Sequence, residues 1–277
     1  HFDLLETDSE YNKIFSDLGS SFTDKERYTK RMSSDWYESD FLWDELVEMI
    51  PNLRKVYLTG GEPPLIKQNY KFMETIIERG YSDKIMMFFN INGMNVNDRF
   101  LKLISEFSNI QINVSIDGVG KVNEYIRGNS DWKIIDENFK KLCALPITVL
   151  NVTTVIQIYN ILDIGNLLNY IVECGKEFGR NIEVDFIFLT HPLFLNVDNL
   201  NTNIKNKCLK NLETFKKNHS EVYNNSKITK NSVDGLITLM KQKQRKKFLL
   251  KDFITYTNSL DKSRNQNFTE TFPKLIW

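Results

Sequence analysis

From Trp43 to Leu189 the apolar residues of this chain switch repeatedly between two spacings. Short runs repeat every second residue or are continuously apolar, which marks strands. They are Val56-Tyr57-Leu58, Ile85 to Asn90, Ile110 to Ile116, Thr148 to Ile158 and Ile182 to Leu189. Between them stand stripes at helical spacing. Trp43, Leu46, Val47 and Ile50 form the first, and Met73, Ile76 and Ile77 the second. Phe100, Leu103, Ile104 and Phe107 form the third, Trp132, Ile135, Phe139 and Leu142 the fourth, and Ile164, Leu167, Leu168 and Ile171 the fifth. Capping residues punctuate them: Ser39 or Asp40 and then Pro51 around the first, Pro64 and Gly80 around the second, Asn97 or Asp98 before the third. Regular alternation of strand and helix means βαβ units and a parallel sheet with right-handed crossovers.

The phase of the strands narrows the choice. Ile110, Ile112, Val114 and Ile116 share one face, and Gln111, Asn113, Ser115 and Asp117 the other. Asn151, Thr153 and Gln157 alternate with Leu150, Val152, Thr154 and Ile156, and Glu183 and Asp185 with Ile182, Val184, Phe186 and Phe188. A sheet covered by helices on both sides would read as near-continuous apolar runs. These strands are two-faced, so one face packs on helices and the other lines a polar cavity. An incomplete or roomy βα barrel fits. A closed barrel would need more strands and an apolar lumen.

Beyond about residue 195 strands disappear, and residues 203–218 and 232–248 read as helices. The basic run Lys241 to Lys247 reads as a solvated helix face. The tail from Thr257 is polar until Phe272-Pro273-Lys274-Leu275-Ile276-Trp277, whose apolar end is expected to dock on the rest. The expected organisation is a polar lead-in over 1–35, the barrel over 36–195 and a helical extension over 196–277. With 36 basic and 36 acidic residues, no net field draws the chain to nucleic acid or an anionic membrane. No apolar run has the length of a membrane span, and the start shows no signal-peptide pattern. Cys143, Cys174 and Cys208 are far apart, which argues against a disulfide framework and for a reducing, cytoplasmic setting. The first residue is His1, so the chain is expected to begin partway through a longer protein.

Leu58-Thr59-Gly60-Gly61-Glu62-Pro63 closes the first visible strand, at the sheet edge where α/β proteins bind ligands. Bare backbone at Gly60 and Gly61 and a carboxylate at Glu62 suit an ammonium group. Later strand ends carry Asn92-Gly93 and Asn113-Val114-Ser115-Ile116-Asp117-Gly118, followed by Glu124-Tyr125-Ile126-Arg127-Gly128. Four motifs in this order, over roughly residues 50–190, resemble the radical S-adenosylmethionine superfamily, closest to the branch whose members often carry a C-terminal twitch or SPASM extension.

The resemblance implies a partial (β/α)6 TIM-type barrel, here lacking its first strand. It implies S-adenosylmethionine and a [4Fe–4S] cluster as cofactors. It also implies an enzyme that cleaves the former reductively and abstracts a substrate hydrogen through a 5′-deoxyadenosyl radical. An electron donor and a polar substrate, a peptide or small molecule, are the implied partners. Gly60, Gly61, Glu62 and Pro63 match the turn that holds the methionine amino group. Ser115 matches a position touching ribose or carboxylate, and Arg127 a base for the methionine carboxylate. Asn92 matches a polar residue after the second visible strand, and Val155 to Asn160 a region that packs on adenine.

Each of these has a plainer role beside it. Glu62 also suits the cap of the following helix, Ser115 a lumen hydroxyl, and Arg127 a surface ion pair. Asp117-Gly118 and Asn92-Gly93 suit turns. His191 stands after the fifth strand as a substrate acid or base or as a structural loop residue. Glu183 and Asp185 line the lumen or pair with Arg180 or Lys176. The resemblance departs at the cysteines: the family's Cys-x3-Cys-x2-Cys triplet is not in this sequence. Cluster ligands are therefore expected upstream of His1. Only Cys208 lies beyond the barrel, too few for an auxiliary-cluster extension. The alternative is a cluster-less barrel that binds S-adenosylmethionine or a nucleotide, or scaffolds a partner.

Overall fold

The computed structural model describes residues 40–243 and 249–275. The expected lead-in over 1–35, the cap at Ser39, most of the basic run after Lys243 and the terminal Ile276-Trp277 lie outside the described residues.

Helix α1 (Asp40–Met49) precedes β1 (Lys55–Leu58). Then come α2 (Lys67–Glu78), β2 (Met86–Ile91), α3 (Asp98–Ser105) and β3 (Ile110–Ser115). Two helices, α4 (Lys121–Ile126) and α5 (Trp132–Ala144), lead to β4 (Val149–Ile156). Helix α6 (Ile164–Glu177) leads to β5 (Glu183–Phe188). The rest is helical: α7 (Thr202–Asn218), α8 (Ser220–Asn225), α9 (Lys227–Lys241), α10 (Leu250–Arg264) and α11 (Phe268–Thr271).

All five strands are parallel, in the order β1-β2-β3-β4-β5. Because the order never reverses, every right-handed crossover places its helix on the same side. This is the barrel-type winding and not the doubly wound one, which requires a switch point. Burial agrees with it. Ile110, Ile112 and Val114 are buried against the helices, whereas Gln111, Asn113 and Ser115 are half-buried on the other face. Phe72, Met73 and Ile76 of α2, Phe100 and Ile104 of α3, Phe139 and Leu142 of α5, and Leu167 and Ile171 of α6 supply the outer layer. Asn97 caps α3 through the Phe100 N–H at 2.9 Å, and Pro51 stands in the short turn that ends α1. No helix among the described residues is long and apolar enough to cross a membrane.

The free edge of β5 is not left bare. The Val184 and Phe186 N–H groups donate to Thr229 Oγ1 and Ser232 Oγ of α9, each at 3.0 Å. Hydroxyls on a helix thus occupy the hydrogen-bonding positions a further strand would take, which protects the edge. Helix α9 starts at Lys227, earlier than the expected 232, because Ser226 caps it through the Thr229 N–H.

Within the expected helical extension, α10 runs up to Arg264 and takes in the first residues of the polar tail from Thr257. Its buried stripe is thin, Phe253, Thr257 and Leu260, and the hydroxyl of Thr257 meets that of Tyr159 at 2.8 Å. A stripe with a threonine at its centre carries little hydrophobic periodicity. The apolar end does dock: Phe272 lies edge-on to Tyr125 with ring centroids 4.9 Å apart, and Leu275 is buried.

Candidate functional site at the C-terminal edge of the sheet

The chain leaves β1 through Gly60 at φ +86° and Gly61 at φ +59°. A Cβ on either would meet nothing within 4 Å, so glycine is needed here for backbone conformation and not for room. Glu62 is extended, and a short turn over Pro63–Leu65 follows, with both prolines buried. Asn69 Nδ2 donates to the Pro63 carbonyl at 3.0 Å and the Tyr70 hydroxyl to the Pro64 carbonyl at 2.7 Å. These bonds fix the turn from α2 below.

Glu62 does not cap that turn or α2. Its carboxylate reaches across to the end of β2, where the Asn92 N–H lies 3.0 and 3.2 Å from its two oxygens. Burial pushes its pKa up to about 7, against the opposing pull of the Asn92 N–H and the Arg127 charge. The Asn92 side chain serves the turn instead, accepting from the Met94 N–H at 2.8 Å.

Arg127 follows α4 and its Nε pairs with Asp117 Oδ2 at 2.8 Å, with the Asp117 side chain 5% exposed. This is a partly buried pair and not the surface pair of the plainer reading. Its two Nη groups have no protein partner among the described residues. Burial raises the Asp117 pKa, and Arg127 and the Val155 N–H pull it back.

Asp117 is a junction. Its Oδ1 accepts from the Val155 N–H at 2.7 Å, and its own N–H donates to Asn123 Oδ1 at 2.9 Å. Asn160, fully buried, donates to the carbonyls of Asp117 and Val155 and accepts from the Gln157 N–H. Asn123 was not singled out from sequence as part of the site, and Asn160 was named only as the end of the Val155 to Asn160 segment. An asparagine shortly after a strand looks like any turn residue until its partners are seen. From the far end of the chain, Arg264 donates to the Tyr125 carbonyl at 3.1 Å and Gln266 to the Glu124 carbonyl at 3.0 Å, holding the segment that carries Arg127.

The structure thus brings Gly60, Gly61, Glu62, Pro63, Asn92, Asp117, Arg127 and Val155 to one edge. Ser115, half-buried, ends β3 opposite Thr153 on the polar face of the same edge. His191 is exposed, 3.4 Å from the Thr190 hydroxyl, and has no acid or base partner among the described residues. Glu183 and Asp185 do not pair with Arg180 or Lys176. Arg180 donates instead to the carbonyls of Leu145 at 2.8 Å and Ile147 at 2.6 Å.

A barrel-type parallel sheet with a glycine-glycine-carboxylate turn at its C-terminal edge defines a class of ligand-binding βα proteins. The sequence profile of the radical SAM superfamily matches residues 25–171, just over half of the chain. The chain belongs to that superfamily. It is also similar to the sporulation killing factor maturation protein SkfB of Bacillus subtilis (strain 168), with 30% identity over 105 residues, 36% of this chain and 24% of that protein. The chain therefore spans about a quarter of the length of this relative.

The superfamily implies S-adenosylmethionine and a [4Fe–4S] cluster. The first fits the edge: carbonyls and a carboxylate for an ammonium, and free guanidinium nitrogens for a carboxylate. The second does not fit the cysteines present. Cys143, Cys174 and Cys208 are buried on three different helices. Burial pushes the Cys143 and Cys208 thiols up to about 12 and raises Cys174 as well, away from the thiolate that iron requires. No group of three or more metal-ligating side chains occurs among the described residues.

Proposed function

We propose that this chain is the S-adenosylmethionine-binding part of a radical SAM enzyme acting on a polar substrate, a peptide or small molecule. The observation that carries the reading is Glu62. Its carboxylate is held at the sheet edge with its pKa raised to about 7, bonded to the Asn92 N–H and close enough to feel Arg127.

In this reading the methionine ammonium meets the Gly60-Gly61 carbonyls and Glu62. The methionine carboxylate meets the Arg127 Nη groups, with Asp117 fixing the guanidinium plane. Ser115 faces the ribose, and the segment from Val155 to Asn160, stitched by its own asparagine, supports the adenine. These residues bind and orient. The family's reductive step belongs to a cluster that this chain's cysteines are not placed to hold, so no step is assigned to them.

The three buried, high-pKa thiols favour a second reading, a barrel that binds S-adenosylmethionine without redox chemistry. A Cys-x3-Cys-x2-Cys triplet encoded upstream of His1 selects the enzyme, and an in-frame start without one selects the module. Binding itself is tested by calorimetric titration of the chain with S-adenosylmethionine. Glu62→Ala and Arg127→Ala are each expected to weaken affinity about tenfold or more, the loss of one charge-assisted contact. Unchanged affinity in both variants overturns the assignment.

A further inference from the structure

One row on the polar face of the sheet is chemically unfinished. The strand register sets Asn90 beside Asn113, Asn113 beside Asn151, and Asn151 beside Glu183, so the row crosses four strands. All four face away from the helices, because the flanking Phe89, Ile112, Val152 and Val184 are the buried ones. The Oδ1 atoms of Asn90, Asn113 and Asn151 are buried and lack a hydrogen-bond partner, and Asn151 as a whole is 5% exposed. The Asn90 amide nitrogen is already engaged with the Tyr57 hydroxyl. Folded proteins rarely leave such acceptors empty. Three side by side on separate strands mark a place where donors come from outside the chain.

Two carboxylates stand at the β5 end of the row. Glu183 ends it, and Asp185 stands one layer above, beside Thr153. Neither belongs to an ion pair among the described residues; their partners are the Ser226 and Ser232 hydroxyls at 3.5 and 3.4 Å. Arg180, close in sequence, is turned to backbone carbonyls. Lys55 rests over the Phe88 ring, 4.6 Å from its centroid.

We propose that the Asn90–Asn113–Asn151 row with Glu183 is a binding site for a cationic nitrogen group, a guanidinium or primary ammonium carried by the substrate. Carboxamide oxygens accept its N–H donors, and the Glu183 carboxylate balances its charge. The row lies two residues down the strands from Asn92 and Ser115, roughly 7 Å below the edge at about 3.3 Å per residue. A side chain entering over the edge therefore reaches it with its head group. Assignment of the row does not depend on the S-adenosylmethionine reading, and the two are measured with different ligands.

The test titrates the chain with N-acetyl-arginine amide and with its neutral isostere N-acetyl-citrulline amide, read by calorimetry and by saturation-transfer NMR. The arginine compound is expected to bind at least about tenfold more tightly than the citrulline compound. Asn113→Leu combined with Asn151→Leu, and separately Glu183→Gln, are each expected to weaken it by about tenfold. The paired leucine variant keeps its thermal midpoint or raises it, since it removes unpaired buried oxygens, and this shows that it folds. Equal affinity for the two compounds, no binding to the unsubstituted chain, or binding untouched by both variants overturns the proposal and leaves the row to ordered water. Loss of S-adenosylmethionine binding with arginine binding retained would refute only the cofactor reading.

Discussion

Glu62 couples proton binding to both stability and ligand binding, and both can be measured. In the folded chain its pKa is raised from 4.5 to about 7, chiefly by burial. Between those two values the folded state holds a proton that the unfolded state has lost. Stability is therefore greatest below the unfolded value and falls as pH rises through the window. A shift of this size corresponds to about 3 kcal/mol at about 1.4 kcal/mol per unit, and solvent access to the half-buried side chain reduces it to about 1–2 kcal/mol. Glu62→Gln has no proton to lose. Urea unfolding from about pH 5 to about pH 8 should show a decline in the unsubstituted chain, and a decline smaller by about 1–2 kcal/mol in the variant.

Binding an ammonium reverses the burial penalty, because the carboxylate must then ionise. At about pH 6.5 a group with a pKa near 7 is about three-quarters protonated, whereas a substrate α-amino group with a pKa of about 7.7–8.0 is already charged. Association should therefore release about 0.7 proton, visible as a dependence of calorimetric enthalpy on buffer ionisation enthalpy. Glu62→Gln should bind more weakly and release none. Unchanged pH dependence of stability in Glu62→Gln, together with no proton release by the unsubstituted chain, would refute the reasoning from burial to protonation.

Two further outcomes follow from the surrounding geometry. Thr229→Val with Ser232→Ala removes both acceptors at the β5 edge and leaves two buried N–H groups unpaired, so urea unfolding should register a loss of about 2–6 kcal/mol at about 1–3 kcal/mol per group. Asp117→Asn keeps an acceptor for the Val155 N–H but leaves the Arg127 charge uncompensated. It should cost about 2–3 kcal/mol and, by freeing that charge, lower the Glu62 pKa, which carboxyl chemical shifts would report.

Much of the scaffold is local and therefore readable without coordinates. Ile110, Ile112 and Val114 against Gln111, Asn113 and Ser115 announce a two-faced strand, since side-chain alternation is a property of every extended chain. Proline and asparagine announce helix ends for equally local reasons, as at Pro51 and Asn97. Gly60-Gly61-Glu62 pointed to a ligand turn from composition and position alone. Within the expected helical extension the bounds of α10 were not legible, because its packing depends on Thr257 meeting Tyr159, a pairing between residues far apart in the chain.

The sequence by itself determined the parallel βα order, the polar face and the candidate turn, because each follows from periodicity or from the conformational limits of single residues. Tertiary structure alone decided what the turn's carboxylate does. In sequence Glu62 also suits the cap of the following helix, and only the closeness of β2 turned it toward the Asn92 N–H. It also decided that Arg127 is braced by a buried aspartate, that a helix and not a strand closes the β5 edge, and that three asparagines from three strands stand in one row. Those outcomes depend on strand register and helix placement, which set distances between residues that the linear chain keeps far apart.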